Sequence, residues 1–299
     1  MIVVERLAAL HGLCEAARHE GKSVGLVPTM GYFHEGHRSL MRAARAAHDL
    51  VVVTIFVNPL QFAAHEDLDG YPRDPDGDAA AATEEGVDVL FTPSLAEMYP
   101  EPARTTVHVD GPTAGLCGAA RPTHFDGVAT VVTKLFSIVG PSTAYFGRKD
   151  AQQLAVVRRM VADLNLPVDV IGCPLVREPD GLAMSSRNAY LSPDERRAAT
   201  VLSRALRAAA DAVVAGERDA AAITRMIEAA VAGEPRVELE YAEVRHGPDL
   251  TTSTRLDGEV LVAVAAKVGP ARLIDNVTIT ITGPEITTDL GVMTQESWT

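Results

Sequence analysis

The run Leu50-Val51-Val52-Val53-Thr54-Ile55-Phe56-Val57 sets one threonine among seven apolar side chains and does not alternate. A strand that wets one face alternates polar and apolar residues. A continuous β-branched run reads instead as a strand covered on both faces, as in a parallel sheet whose crossover helices lie above and below it. The flanking chain supplies such helices. Leu7 to Glu20 has apolar residues at 7, 10 and 13 and stops at Gly21, and beyond His34 the residues Leu40, Met41, Ala44 and Ala47 share one side. Ser23 to Val27, Val87 to Pro93, Thr143 to Gly147 and Pro167 to Ile171 read as further strands, with helices from about Gly127 to Val139 and from Arg148 onward. Five strands alternating with helices predict the α/β class, a Rossmann-like doubly wound parallel sheet with right-handed crossovers.

The pattern changes after residue 175. Ser192-Pro193-Asp194-Glu195 has the N-cap serine and N1 proline of a long helix reaching about Ala215, and a second helix is expected from Ala220 to Ala232. Then Val237, Leu239 and Tyr241 alternate with Glu238 and Glu240, and Val277, Ile279 and Ile281 with Thr278, Thr280 and Thr282. Such strands predict a small antiparallel sheet wet on one face, hence a second, smaller α+β domain over 176–299 beside a first over 1–175. The tail from Pro284 to Thr299 receives no role from the sequence.

Composition limits the partners. The 299 residues are 47% hydrophobic and 22% charged, which describes a chain with a real core. A formal charge of -13 argues against coating nucleic acid or anionic membrane, since that affinity comes from lysine and arginine meeting phosphate. Cys14, Cys117 and Cys173 are odd in number and widely spaced, so neither a disulfide framework nor a zinc knuckle is expected and a reducing cytoplasm is.

Chemistry concentrates at the strand ends. Pro28-Thr29-Met30-Gly31-Tyr32-Phe33-His34-Glu35-Gly36-His37 is a turn opening a helix, where unpaired amides and the positive end of the dipole favour an anion. His34 and His37, three residues apart, can reach the same anion, and Gly36 keeps that face open. Two surface histidines on an amphipathic helix would give the same letters. Asn58 and Gln61 lie just past the carboxyl end of the buried run, where open α/β sheets bind ligands, and are candidates for a polar substrate. Turn chemistry for Asn58 and a solvated amide for Gln61 are the plainer alternative. A second strand-to-helix junction brings Lys149 to the same edge, and the loop Met184-Ser185-Ser186-Arg187 offers two hydroxyls and a guanidinium as a phosphate clamp. Asp74-Pro75-Asp76-Gly77-Asp78 resembles a calcium loop, but Ala79 stands where the loop needs glycine, and Pro75 with the alanines after it is not expected to form a flanking helix. A carboxylate there is expected to hold magnesium through water.

The strings "PTMGYFHEGH", "IFVNPLQF", "YPRDP", "RPTHFDGVATVVTKL", "FGRKDAQQL" and "VREPDGLAMSSRN" occur in this order between residues 28 and 188. With them the chain resembles the pantothenate synthetase (pantoate–β-alanine ligase) family, of the nucleotidyltransferase superfamily with the His-x-Gly-His signature. The resemblance implies ATP- and magnesium-dependent joining of pantoate to β-alanine through a pantoyl adenylate, by a cytoplasmic homodimer. It implies that His34, His37, Lys149 and Arg187 are catalytic. It implies an ATP site of Met30, Gly31, Tyr32, Phe33, His34, Glu35, Gly36, His37, Gly147, Arg148, Lys149, Asp150, Val176, Met184, Ser185, Ser186 and Arg187. Gln61 and Gln153, with Asn58, would hold pantoate, Gln61 also β-alanine, and Asp78 magnesium.

This chain departs from the family pattern at Tyr32-Phe33, commonly Ala-Leu, at Arg148-Lys149-Asp150-Ala151, commonly Glu-Lys-Asp-Tyr, and at Gly77, commonly acidic. The departures are expected to add bulk beside the ATP turn, to reverse a charge next to Lys149 and to remove a metal contact. They leave open a related nucleotidylyltransferase or ligase for another hydroxy acid or amine, and a non-catalytic nucleotide-binding paralogue.

Overall fold

The protein is described by a computed structural model over residues 1–62, 68, 70–101 and 103–294. Six strands form one parallel sheet: β1 (Ile2–Val4), β2 (Val24–Thr29), β3 (Leu50–Ile55), β4 (Val89–Phe91), β5 (Ser142–Gly147) and β6 (Val168–Cys173), in the order β1-β4-β3-β2-β5-β6. The buried run behaves as its composition dictates. Val52 packs with α1 (Leu7–His19), α6 (His124–Val139) and α7 (Ala151–Leu164) on one face, while Val51 and Val53 pack with α2 (Glu35–Ala47) and α3 (Pro75–Glu84) on the other. Two short helices, α4 (Leu95–Met98) and α5 (Leu116–Ala120), lie in the connection between β4 and α6.

Helix α3 corrects the sequence reading, which denied a helix after Pro75. Asp74 caps it by accepting from the amide of Gly77 at 3.1 Å, proline occupies the first turn and the alanines are strong helix formers. The calcium-loop resemblance is thus a helix start. Edge strand β1 was not anticipated either, because its three residues are mostly exposed and carry no period.

From β2 the chain winds one way to β3 and β4, then returns across β2 to β5 and β6. The pairing of β2 with β5 covers Gly25↔Thr143 and Leu26↔Ala144, although β2 continues to Thr29 and β5 to Gly147. The two strands therefore part toward their carboxyl ends. This is the point of an open α/β sheet at which a crevice forms.

The rest of the chain comprises β7 (Val176–Arg177), α8 (Pro193–Val214), α9 (Ala220–Ala232), β8 (Val237–His246), β9 (Thr251–Thr252), β10 (Gly258–Val268), β11 (Ala271–Thr282), β12 (Glu285–Asp289) and β13 (Val292–Met293). An antiparallel sheet runs in the order β12-β11-β10-β8-β9, and β13 pairs in parallel with β7. Helix α8 opens with a capping box in which Ser192 and Glu195 satisfy each other's amides, as its first four residues foretell.

The expected wet face is wet where the alternation was read, with Glu238, Glu240 and Thr282 exposed, but central strand β10 has no such face. Val260, Val262 and Val264 of β10 are buried under α8 and α9, while Leu261 and Ala263 on the opposite face are buried against Leu116 and Ala155 of the first sheet's helices. Central strand β10 is covered twice and so reads as one apolar run, which is why its alternation could not be seen. Among the described residues no helix is long and apolar enough to cross a membrane.

If the second sheet is docked in this way, Leu261→Ala should cost about 2–5 kcal/mol of unfolding free energy, the usual range for emptying a buried leucine site. Urea denaturation measures it, and a loss within about 0.5 kcal/mol, typical of surface substitutions, would return that face to solvent.

Candidate active site

The parting of β2 and β5 opens a cavity of about 200 Å³ whose wall includes His34, His37, Lys149 and Arg187. Their places follow from local structure. His34 is the N-cap of α2 and His37 is in its first turn, so the imidazoles stack with centroids 4.1 Å apart. Lys149 lies in a short 3-10 turn between β5 and α7, its side chain 17% exposed. Ser185 caps the 3-10 turn Ser186–Tyr190 by accepting from the amide of Arg187 at 3.3 Å. A second cavity of about 650 Å³ lies between the two sheets. Met30, Gln61, Tyr71, Lys149, Asp150, Gln153, Ser185 and Arg187 line both, so the two spaces share a wall.

The turn before α2 is built around Asp78. Its carboxylate accepts from the amides of Tyr32 at 2.8 Å and Phe33 at 2.6 Å. Gly31 has φ +83°, and a Cβ there would meet Asp78 Oδ2 at 2.8 Å and Ile55 at 2.9 Å. Burial pushes the Asp78 carboxyl upward against the pull of the two amides. The magnesium assignment to Asp78 is therefore corrected: both oxygens face backbone amides, and the residue is buried. Among the described residues no three histidine, cysteine, aspartate or glutamate side chains converge on a metal-sized site. Among those same residues, the one carboxylate lining the smaller cavity is Asp150.

Gly36 serves differently from the expected role. A Cβ there would lie 2.9 Å from His34 Cε1 and 3.0 Å from Nδ1, so glycine is what lets the His34 ring fold over the helix start. His34 Nδ1 is buried without a partner, a polar atom waiting for one. The amide of His34 donates to His37 Nδ1 over a long 3.4 Å. In the neutral ring this leaves the proton on His37 Nε2, a donor. Burial holds His34 down to about 2, helped by His37 and Lys149, and holds His37 down to about 4, with Asp150 opposing and Lys149 reinforcing.

Asn58 is the second correction. It does not line either cavity but sits fully buried behind Gln61. Its Nδ2 donates to Gln61 Oε1 and to the carbonyl of Gly127, both at 3.0 Å, while Oδ1 accepts from the amide of Leu60 at 3.3 Å and from Tyr99 Oη at 2.9 Å. Both ends of the Asn58 amide are thereby fixed. Gln61 Oε1 is engaged in turn, which leaves Gln61 Nε2 as a donor for a ligand. The backbone carbonyl of Gln61 accepts from Arg121 and from His124 Nδ1, each at 3.0 Å.

Of the remaining expected residues, Met30, Gly36, Gly147, Asp150, Gln153, Val176, Met184, Ser185 and Ser186 line the smaller cavity. Gly31, Tyr32, Phe33, Glu35 and Arg148 do not. Phe33 packs with the α2 cluster, Glu35 pairs with Arg42, and Arg148 reaches Asp289 at 2.8 Å and the carbonyl of Gly172 at 3.1 Å. The charge of Arg148 is thus directed away from the cavity, whereas the Phe33 ring stands behind His37 with centroids 5.6 Å apart.

Several residues were missed. Tyr71 lines both cavities, and its phenol, raised by burial, bonds Ser186. Tyr241, Arg272, Asp275 and Asn276 come from the second sheet to wall the larger cavity. Asn276 Nδ2 donates to the carbonyls of Arg148 at 3.1 Å and Lys149 at 2.8 Å, so the second sheet grips the lysine-bearing turn. The signal was the adjacent polar pair Asp275-Asn276, which breaks the polar–apolar alternation of β11.

Comparison with known proteins follows the same outline. The family model described as pantoate-beta-alanine ligase matches residues 2–278. A pantothenate synthetase of Heliobacterium modesticaldum is 53% identical over 281 residues, 94% of this chain and 100% of that one. The crystal structure of pantothenate synthetase from Thermus thermophilus superposes with a TM-score of 0.87 at 48% identity, over 92% of this chain and 98% of that one. A pantoate-beta-alanine ligase from Francisella tularensis, solved with beta-gamma ATP and beta-alanine, gives 0.76 at 31% identity over 95% and 100%.

The two depressed histidines make a pH prediction. Their folded values lie below the unfolded value near 6.5, so between about pH 6.5 and 4 the unfolded chain binds more protons. Stability should be fully present above 6.5 and fall as pH is lowered, by up to about 1.4 kcal/mol per pH unit for each proton. Urea midpoints at pH 7 and pH 5 should separate more for the wild type than for a His34→Asn/His37→Asn variant. Equal separations would mean that the rings titrate normally.

Proposed function

The chain belongs to the pantoate-beta-alanine ligase family and is an enzyme that joins pantoate to β-alanine at the expense of ATP, and we propose that it does so in the two cavities just described. The smaller takes the nucleotide, the larger admits the two acids, and the shared wall is where they react. What carries this reading is the convergence of His34, His37, Lys149 and Arg187 on one cavity, next to Gln61 and Gln153.

In the first step a carboxylate oxygen of pantoate attacks the α-phosphorus of ATP. The bond to the bridging oxygen breaks and pyrophosphate leaves. The carboxylate is already ionised, so no base is needed. The protein has to align two anions and meet the charge that moves onto pyrophosphate. The α2 N-terminus, His37 Nε2–H, the Lys149 ammonium and the Arg187 guanidinium are donors for that charge. Neutral imidazoles suit the empty site, and the incoming triphosphate favours their protonation. Gln61, held as a donor by Asn58, and Gln153 orient pantoate.

In the second step the uncharged amine of β-alanine attacks the acyl carbon and AMP departs with the bonding electrons. The ammonium gives up one proton to solvent beforehand, the nitrogen gives up a second after attack, and the third stays as the amide N–H. The second sheet roofs the larger cavity and keeps water from the mixed anhydride. We read the parts over 1–175 and 176–299 as base and lid. Magnesium enters through the family, as a companion of the triphosphate and not through a protein cage. A cytoplasmic homodimer rests on the resemblance alone.

Supplied with ATP, pantoate and β-alanine, the enzyme should form AMP and amide product in equal amounts, and only with both acids present in steady state. His37→Ala and Lys149→Ala should each lower turnover by about 10²–10³, the scale for one preorganised donor, with little change in pantoate binding. Pyrophosphate release without amide would instead indicate adenylyl transfer alone, and undiminished turnover in both variants would remove these residues from the chemistry.

A further inference from the structure

The family match ends at residue 278, before the strands β12 and β13. After β11 the chain turns at Gly283, with φ +60°, and β12 pairs back along it from Thr282↔Glu285 to Thr278↔Asp289. It then bends at Gly291, with φ +81°, and β13 runs beside β7 in the register Val292↔Val176 and Met293↔Arg177.

Beyond its pairing with β11, this tail bonds to residues flanking the nucleotide cavity. The amide of Val292 donates to the carbonyl of Leu175 at 2.7 Å, and that of Thr294 to the carbonyl of Arg177 at 2.8 Å. Arg177 Nε donates to the carbonyl of Leu290 at 2.6 Å. Asp289 accepts from Arg148 at 2.8 Å through one oxygen and from the amide of Gly291 at 3.0 Å through the other. Leu175 and Val176 line the cavity, and Arg148 precedes Lys149. The tail thus joins the cavity wall at β7 and the lysine turn after β5 to the second sheet.

Core burial does not account for β13. Val292 and Met293 are 49% and 48% exposed, so the strand removes little apolar surface from water. Its contribution lies in the polar bonds. Arg148, moreover, is one of the positions where this chain departs from the family pattern, and its guanidinium finds its counter-charge in Asp289.

We propose that residues 285–294 are a positioning element of the nucleotide cavity, which fixes the wall at Leu175-Val176 and the turn bearing Lys149 before ATP arrives. This rests on reading that cavity as the ATP site. An ordered wall does not have to be ordered by the ligand, so the tail raises affinity for ATP while leaving the pantoate contacts at Gln61 and Gln153 alone. Asp289 and Gly291 act through Arg148 and Leu175 and touch no substrate.

Gly291 permits a point test. A Cβ at this position would stand 2.4 Å from the carbonyl oxygen of Leu175, so Gly291→Val must push β13 off β7. Steady-state kinetics of the full chain, with ATP and pantoate varied in turn, should show KM for ATP raised about tenfold and KM for pantoate within about twofold of wild type. Asp289→Asn should move KM for ATP in the same direction by a smaller factor, and Asp289→Glu should restore most of it. Circular dichroism and thermal melting identify a variant that fails to fold, in which case Asp289→Asn and Asp289→Glu decide. Unchanged KM for ATP in the folded variants, or equal rises for both substrates, overturns the proposal. A wild-type enzyme that consumes no ATP overturns instead the reading on which it rests.

Discussion

The structure depends on two parallel strands ceasing to pair. β2 and β5 are bonded at Gly25↔Thr143 and Leu26↔Ala144 and then diverge, because the chain leaves them toward opposite ends of the sheet. The segment after β2 brings a helix N-terminus with two imidazoles, and the segment after β5 brings an ammonium. Neither junction is notable alone. Their adjacency follows from strand order, which sets residues more than a hundred positions apart on the two lips of one crevice.

The lips are held from behind by groups that take no part in chemistry. Asp78 binds the amides of the turn before α2, Asn58 fixes the Gln61 amide, and Asn276 reaches from the second sheet to the carbonyls beside Lys149. Arg177 and Asp275 form an ion pair almost without exposure, their side chains 4% and 3% accessible, which ties β7 to β11. A buried pair of this kind contributes little net stability, but loss of one partner leaves an uncompensated charge. Its value is in fixing how the two sheets meet, and so the shape of the larger cavity.

Much of this was legible in the residues, and the failures have physical causes. The parallel sheet could be read from Leu50 to Val57, and the convergence of His34, His37 and Lys149 on one edge from strand-to-helix junctions. Strand β10 was not legible because it lacks the alternation of β8 and β11, and Ala263, Ala265 and Ala266 interrupt the β-branched run by which Leu50 to Val57 could be read. Helix α3 was hidden by its resemblance to a calcium loop, although Asp74-Pro75 is also a helix start. Asn58 was read as a ligand because a polar residue at a strand end is compatible with either facing a substrate or supporting the backbone, and Asp78 because the resemblance and its carboxylate-rich run implied a metal. Only the coordinates distinguish these, since the partners, Tyr99 and Gly127 for Asn58 and the amides of Tyr32 and Phe33 for Asp78, are distant in sequence. The wall supplied by Tyr241, Arg272, Asp275 and Asn276 depends on how one sheet docks on another, which no local pattern encodes.

The central claim is that a triphosphate is held where β2 and β5 part. A crystal structure of the enzyme with a non-hydrolysable ATP analogue tests it directly. The account predicts phosphate oxygens over the first turn of α2, within hydrogen-bond distance of His37 Nε2 and Lys149 Nζ. Phosphates bound elsewhere, with those two groups left without an anion, would contradict it.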